Sequence, residues 1–489
     1  MTNDGVRLMQ KQLPLTLSNR RFSFDDQKVF ARLSGDVNPI HVDPLTSRRS
    51  VVGAVVVHGI HTLLWSLDVL AKSELKPAGV RLIDVRFPKA VYLEDELKIT
   101  LQNRTVDEMN LEATIGRRTV TSIRLGILPV SDARTVDIVD SGGLEALIAG
   151  GEPRDPAFDT LPGTVGLVDF AVPAKEFAKE FPDAAKLIGA ARLRGVAACS
   201  RLVGMDCPGL RSIFSRLSVA LTDEALASNL SYEVVKTDQR FRMVRIQFAG
   251  AGLQGRIEAF SPPSPPKQLA ITKIGGMVAS REFAGQTALV VGGSRGLGEL
   301  AAKVIAAGGG RVLITYAVGQ SDAERVADEI RAIGGHAHVF SYDVTKPASE
   351  QLVRLAGAVP THVYYFATCR ISRPKGEAFE SDLLSQFMAF YVHGLFDLCR
   401  SLSEQGVKQL SIFYPSSVFV EERPRDFTEY AMAKAAGEVL CADIPRIMPG
   451  IRVLLRRLPR LLTDQTTSIT SQEFPQAIDL ILSVIRTMK

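Results

Sequence analysis

The sequence predicts two architectures in one chain. The first part is α+β and carries a helix-then-strands unit twice; the last part is α/β, a doubly wound parallel sheet. Three observations point there. An apolar run at 51–71 precedes a series of strand-like segments, the same order returns more weakly after residue 182, and beyond residue 285 short apolar strands alternate with helices. At 489 residues the chain is also too long for one ordinary domain.

In the first part, residues 1–139, a polar loop leads into "VVGAVVVHGIHTLLWSLDVLA" at 51–71. This run contains His58, His61 and Asp68, which would be costly at the centre of a bilayer, so a buried helix is expected and no membrane span. The strand-like segments "RLIDVRFPKAVYL", "ELKITLQNRT", "LEATIGRRT" and "VTSIRLGIL" follow. One helix and successive hairpin-connected strands suggest a sheet wrapped round that helix. Residues 140–163, with "SGG", "AGGEPRDP" and "LPG", read as a linker.

Residues 164–262 repeat the order. A helical segment, "PDAAKLIGAARLRGVAACSRL", precedes "SIFSRLSVAL", "LSYEVVKTD", "FRMVRIQFAG" and "LQGRIEAFS". A second linker is expected over 263–284, starting from "SPPSPPKQ" at 261–268, a stiff extended stretch. From 285 to 489 the pattern changes to β-α-β-α: "TALVVGG", "GELAAKVIAAGG", "RVLITY", "SDAERVADEIRAIGG". That alternation predicts a parallel sheet with helices on both faces.

Composition narrows the partners. With 46% apolar and 23% charged residues the chain is globular. A net charge of +5 without a long basic run does not favour nucleic acid, while acidic small partners such as phosphates or a carrier protein fit. Cys199, Cys207, Cys369, Cys399 and Cys441 show no CxxC pairing and sit in apolar contexts. They read as reduced core residues of a cytoplasmic protein, with no metal site expected. The N-terminal "MTNDGVRLMQKQ" has no apolar core and is not a signal peptide.

The turn after the first strand of the last part reads "GGSRGLG". Gly292, Gly296 and Gly298 permit a tight turn and let backbone N–H groups approach a pyrophosphate at a helix N-terminus. Such a loop can equally serve only to cap or pack. Downstream, "YPSSVFVEERPRDFTEYAMAK" holds Ser417, Tyr430 and Lys434. Tyr430 and Lys434 are four apart and share a helix face, where an ammonium would lower a phenol's pKa. Alone, YxxxK is most often a solvated helix face.

In combination these features resemble the short-chain dehydrogenase/reductase family, across about 200 residues from Gly285 onward. The shared motifs are the glycine loop, "DVT" at 343–345, a serine thirteen residues before the tyrosine, and YxxxK. The resemblance implies that Tyr430 is the proton donor, Lys434 binds the nicotinamide ribose and tunes Tyr430, and Ser417 orients the substrate carbonyl. It also implies a cofactor cradle of Gly292, Ser294, Arg295, Gly296, Leu297 and Gly298, with Asp343 near the adenine and Val344 and Ala367 also binding the cofactor. Association into a homo-oligomer through this part is expected. The chain departs from the family at Val291, at "YFAT" 365–368, at Tyr391 in place of the catalytic asparagine, and at Pro459-Arg460. The second strand ends at Tyr316, with no acid for a ribose 2′-hydroxyl, and Arg295 can pair with a 2′-phosphate. NADPH is therefore expected.

Near the N-terminus, "LSGDVNPIHVD" sets Asp36 and His41 around Pro39. A carboxylate and an imidazole around one water can activate it and shuttle its proton. The alternative is that Asp36 caps a turn and His41 is a satisfied surface residue. With "VVHGIH" and "VRFPKAVYLEDEL" following, residues 15–130 resemble the MaoC-like, R-specific enoyl-thioester hydratase/dehydratase family, which has the hotdog fold. The resemblance implies a catalytic Asp36–His41 pair, Asn38 holding the loop, and the Gly59 N–H as oxyanion donor. Ala90 and Glu94 depart from the family at turn positions.

Residues 164–262 contain no histidine, since none occurs between His61 and His336. They are expected to form a second, non-catalytic hotdog that walls an acyl pocket, with Asp206 and Cys207 in core or turn roles. Taken together, the two resemblances imply a bifunctional 3-ketoacyl-thioester reductase and (3R)-hydroxyacyl-thioester dehydratase. Its substrates would be acyl-carrier-protein or coenzyme A thioesters. Two alternatives are the same steps run backward in acyl breakdown, and an active dehydratase beside a non-catalytic dinucleotide-binding module.

Overall fold

A computed structural model of the chain describes residues 13–128, 151–223, 229–371, 379–463 and 475–489. The chain divides into two units between Ser264 and Pro265. In the first, β1 (Leu15–Arg20) leads into α1 (Phe24–Ser34). Ser23 and Asp26 form a reciprocal capping box at its start, and Gly35 closes its end at φ +75°. The left-handed stop at Gly35 turns the chain straight into Asp36. Asn38 then caps α2 (Pro39–Val42), its Oδ1 accepting from the Ile40 N–H at 3.1 Å, with Pro39 preset for the first helical position. Local capping chemistry thus sets Asp36 and His41 on one tight bend.

The apolar run becomes helical only at Gly59, giving α3 (Gly59–Lys72) rather than a helix from Val51. The preceding donors are committed elsewhere: Val56 N–H to Ile40 O at 3.1 Å and Val57 N–H to Val91 O at 2.8 Å. The His58 N–H likewise donates to Gln27 Oε1 at 3.0 Å. Strands β2 (Val80–Arg86), β3 (Leu97–Arg104), β4 (Glu108–Ile115) and β5 (Arg118–Ile127) follow. The second half runs β6 (Val165–Asp169), α4 (Ala174–Glu180), α5 (Pro182–Ile188), α6 (Ala190–Arg201), β7 (Ile213–Leu221), β8 (Asn229–Asp238), β9 (Met243–Gly250) and β10 (Leu253–Phe260). Gly189, at φ +89°, divides the expected single helix into α5 and α6.

All ten strands pair antiparallel in the order β1-β3-β4-β5-β2-β7-β10-β9-β8-β6. Read outward from the central β2–β7 pair, both halves have the same strand order, as a duplicated unit requires. This is the double hotdog arrangement expected from the sequence, with α3 and α6 buried against one continuous sheet.

The second unit contains β11 (Thr287–Val291), α7 (Gly296–Ala307), β12 (Arg311–Tyr316), α8 (Gln320–Arg331), β13 (His336–Ser341), β14 (His362–Tyr365), α9 (Ser381–Met388), α10 (Gly394–Glu404), β15 (Leu410–Ser417), α11 (Thr428–Ile447), β16 (Ile451–Leu458) and α12 (Ala477–Thr487). Its six strands are parallel, ordered β13-β12-β11-β14-β15-β16. The order reverses beside β11, and open sheets of this kind bind ligands at that switch point.

Both predicted linkers are partly core. Phe158 and Leu161 pack into the first unit's interior, and Ile271, Ile274 and Phe283 into the second's. Residues 140–150 of the first linker lie outside the described residues. No helix among the described residues is long and apolar enough to cross a membrane.

Two candidate active sites

Asp36 is buried, and two donors reach its carboxylate group from two parts of the chain. Oδ1 accepts from the Asn38 N–H at 3.2 Å, and Oδ2 accepts from the Ser200 hydroxyl at 2.6 Å. The backbone oxygen of Asp36 lies 3.0 Å from His58 Nε2. The carboxylate therefore does shape its own turn, as the capping alternative required, yet it also faces a cavity. His41 is buried instead of lying on the surface. Its Nδ1 is 2.8 Å from the Val56 carbonyl, which can only accept, so the proton sits on Nδ1 and Nε2 keeps its lone pair.

A cavity of about 80 Å³ joins Asp36, His41 and Gly59. Gly59 is the first residue of α3, where N–H groups have no carbonyl one turn back. A Cβ at this position would come within 3.1 Å of the Phe87 ring. The second half closes the cavity with Ser200, Gly204 and Phe214. Asn38 clamps the two halves together, its amide donating to Gly204 O at 2.7 Å and Leu210 O at 3.2 Å.

Burial pushes the Asp36 carboxyl above its usual range, against the pull of His41 and the Ser200 hydroxyl. Burial also pulls the His41 imidazole down, against the pull of Asp36. The two proton affinities are drawn toward one another, which suits a pair that passes one proton back and forth. His58 stacks on His41 at 3.7 Å between ring centroids. Burial, and then the neighbouring His41, hold it well below the ordinary histidine value, so it serves as a neutral brace.

In the second unit the glycine loop joins β11 to α7. Gly292 and Gly296 adopt φ values of +80° and +60°. A Cβ on Gly298 would lie 2.2 Å from Gly292 O, and one on Gly292 would lie 3.0 Å from Ala367 N. Space beyond Gly296 is open. Arg295 caps α7, Leu297 lies in its first turn, and Ser294 is buried just before it. Although Val291 lacks a hydroxyl, Thr315 on β12 supplies one. It accepts from the Gly292 N–H at 3.1 Å and donates to Val290 O at 3.3 Å. These residues fit a dinucleotide cradle. Asp343 Oδ1 accepts from the Thr345 N–H and hydroxyl at 3.0 and 2.7 Å, and Val344 is buried beside it.

Ser417 ends β15, and Tyr430 and Lys434 are both buried on α11. Ser417 hydrogen-bonds the Tyr430 hydroxyl, but burial dominates and pushes that phenol up to about 12. Lys434 is driven down to about 7 by burial. The expected lowering of Tyr430 is overridden by burial, and the Lys434 ammonium is directed elsewhere. It donates to Pro415 O at 2.7 Å and lies 4.0 Å from the Tyr391 ring centroid, against 6.0 Å for Tyr430.

Comparison with known proteins agrees with this division. The MaoC like domain family matches residues 6–123, and the short chain dehydrogenase family matches residues 286–471. The chain joins a MaoC-like domain to a short-chain dehydrogenase domain. The chain is similar to a peroxisomal enoyl-CoA hydratase 2 of Arabidopsis thaliana. They are 34% identical over 95 residues, which is 19% of this chain and 30% of that protein. Another relative is the short-chain dehydrogenase/reductase homolog YusS of Bacillus subtilis (strain 168). It is 38% identical over 64 residues, 13% of this chain and 59% of that protein. The chain thus spans less than two thirds of these curated relatives. A short chain dehydrogenase from Burkholderia cenocepacia J2315, solved in complex with NADP, is 23% identical with a TM-score of 0.38; the match covers 42% of this chain and 91% of that one.

Sequence inspection missed three contributors. Ser200 reaches the MaoC-like dyad from the half without histidines, and its signal was only the segment "SRLVGMDCPGLRSIF". His58 stood in the quoted "VVHGIH" but carried no assigned role. Thr315 of the short-chain dehydrogenase domain has no local signal, since it is a strand residue that meets the loop across the sheet.

Proposed function

We propose that the chain is a bifunctional NADPH-dependent 3-ketoacyl-thioester reductase and (3R)-hydroxyacyl-thioester dehydratase, acting on coenzyme A or acyl-carrier-protein thioesters. The observation that carries this reading is two separate proton-handling sets in one chain. One is Asp36–His41 at a cavity with the Gly59 N–H; the other is Ser417–Tyr430–Lys434 beside a glycine loop.

In the first site the dyad removes a C2 proton from the 3-hydroxyacyl thioester and returns a proton to the departing 3-hydroxyl. The C3–O bond breaks, the C2–C3 double bond forms and water leaves. The Gly59 N–H takes up charge developing on the thioester oxygen. In the second site, Ser417 orients the 3-keto oxygen and the Tyr430 hydroxyl, protonated at neutral pH, donates its proton to that oxygen. A bound NADPH would supply hydride to C3. Arg295 at the loop and the lack of an acid at Tyr316 favour the 2′-phosphorylated cofactor. The 3R product of one site is the substrate of the other, which links the two sites, and the 2′-phosphorylated cofactor favours the reductive, synthetic direction.

The free cysteines fit a reducing, cytoplasmic setting. Met432, Val439 and Ile447, exposed on α11, support assembly of copies through the reductase unit. The test is purified protein with acetoacetyl-CoA and NADPH, followed by absorbance and by mass spectrometry of the products. Tyr430→Phe should abolish NADPH oxidation and leave hydration of crotonyl-CoA intact; His41→Ala should do the reverse. Loss of both activities from either substitution in a folded protein, or no effect from both, overturns the two-site reading.

A further inference from the structure

We propose that Tyr391 positions Lys434 in the reductase site, its ring face serving as the ammonium's partner where the family uses an asparagine. This rests on the reductase reading above and concerns how that site is held together.

Tyr391 lies on a π-helical turn, Ala389–His393, between α9 and α10, and is fully buried. The Lys434 ammonium lies 4.0 Å from its ring centroid and 4.8 Å from that of Tyr414. One N–H of the same ammonium donates to Pro415 O at 2.7 Å. An ammonium enclosed this way has a carbonyl and two aromatic faces in place of water, and a ring face attracts a cation most strongly where water is excluded.

The ring is itself pinned. Its hydroxyl is 2.6 Å from Thr368 Oγ1, and it stacks on Phe387 with centroids 5.8 Å apart. It also meets the Tyr430 ring edge-on at 5.7 Å. One side chain therefore touches both the proton donor and the lysine, and sets their separation. Asparagine, with a short amide and no face, cannot hold either contact. The chain's departure from the family at Tyr391 is thus a different solution to the same positioning problem.

The remaining titratable groups around the ammonium are Cys369 beyond β14, Tyr414 on β15, and Tyr430, Glu438 and Cys441 on α11. Arg457 on β16 pairs with Glu438 at 2.6 Å and offsets its charge. Burial lowers Lys434 toward about 7, and the ring face opposes that by favouring the cation. Removing the ring lowers the lysine further, so a reaction needing the ammonium loses its alkaline limb at lower pH.

The experiment uses full-length wild type, Tyr391→Phe and Tyr391→Leu. Acetoacetyl-CoA reduction is measured across pH, with kcat and KM separated. In parallel, Lys434 is titrated by carbon-13-lysine NMR, its signal assigned with Lys434→Met. Tyr391→Phe, which keeps the face, should retain the kcat and alkaline limb of wild type. Tyr391→Leu should lose roughly tenfold in kcat and move both the limb and the NMR titration about one unit lower. Equal behaviour of Tyr391→Leu and wild type overturns the proposal. So does a Tyr391→Phe variant as impaired as Tyr391→Leu, which would make the Thr368 contact the active element. An inactive wild type overturns the reductase reading instead, while the NMR titration still decides the Tyr391–Lys434 pairing.

Discussion

The Ser200 hydroxyl donates to Asp36 Oδ2 at 2.6 Å across 164 residues of sequence. The half of the MaoC-like unit without histidines therefore completes the half that has the dyad. A buried carboxylate short of donors holds its proton more tightly, and Ser200 is one of the groups opposing that rise. Ser200→Ala should raise the Asp36 pKa further and shift the acid limb of crotonyl-CoA hydration to higher pH. Loss of a hydrogen bond to a charged group, about 1.5–3 kcal/mol, predicts a ten- to hundredfold drop in kcat/KM near the limb. An unchanged pH profile would count against this role.

Gly204 gives a sharper steric prediction. A Cβ there would sit 2.2 Å from Asp36 Oδ1. Both groups are buried, so Gly204→Ala must displace the carboxylate or the helix end. Hydration should fall by about a hundredfold or more, because a misplacement on the order of 1 Å costs that much. NADPH oxidation with acetoacetyl-CoA, measured on the same preparation, should be unchanged.

Gly298→Ala is the corresponding change in the second unit. Its Cβ would meet Gly292 O at 2.2 Å, and a backbone oxygen cannot move aside as a flexible side chain can. The loop should open and NADPH affinity should fall by about tenfold or more, read by fluorescence titration, since phosphate contacts depend on close backbone approach. Crotonyl-CoA hydration should be retained.

His61 predicts an acid sensitivity. Both its ring nitrogens lack hydrogen-bond partners among the described residues, and its ring stacks on Phe30 at 4.5 Å. Burial lowers it to about 3, so the unfolded chain binds a proton here below the ordinary 6.5 while the folded chain does not. Stability from this residue is full above 6.5 and is lost as pH falls toward 3, with a slope of up to about 1.4 kcal/mol per pH unit. In urea titrations between pH 6 and pH 4, His61→Leu should flatten the pH dependence of the first unit's unfolding.

Much of the candidate chemistry was legible because it is local. Asp36, Asn38, Pro39 and His41 lie within six residues, and caps at Ser23, Gly35 and Asn38 suffice to fold that bend. The glycine loop and the Tyr430–Lys434 spacing are equally short-range, and alternation of strands and helices predicts a parallel sheet without reference to contacts. Helix limits were less legible. The run from Val51 looked helical throughout, but Val56, Val57 and His58 donate their N–H groups to partners outside it.

What the sequence by itself determined is the pair of architectures, the dyad and the glycine-loop and YxxxK motifs, each encoded in residues a few positions apart. Tertiary structure alone decided that Ser200 serves Asp36, that Thr315 braces the loop behind Val291, and that Lys434 faces Tyr391 more closely than Tyr430. It also reversed the expected shift at Tyr430, since desolvation outweighs the Ser417 hydrogen bond there. Burial and long-range hydrogen bonds arise when distant segments pack together, and no local spacing records which segments will meet.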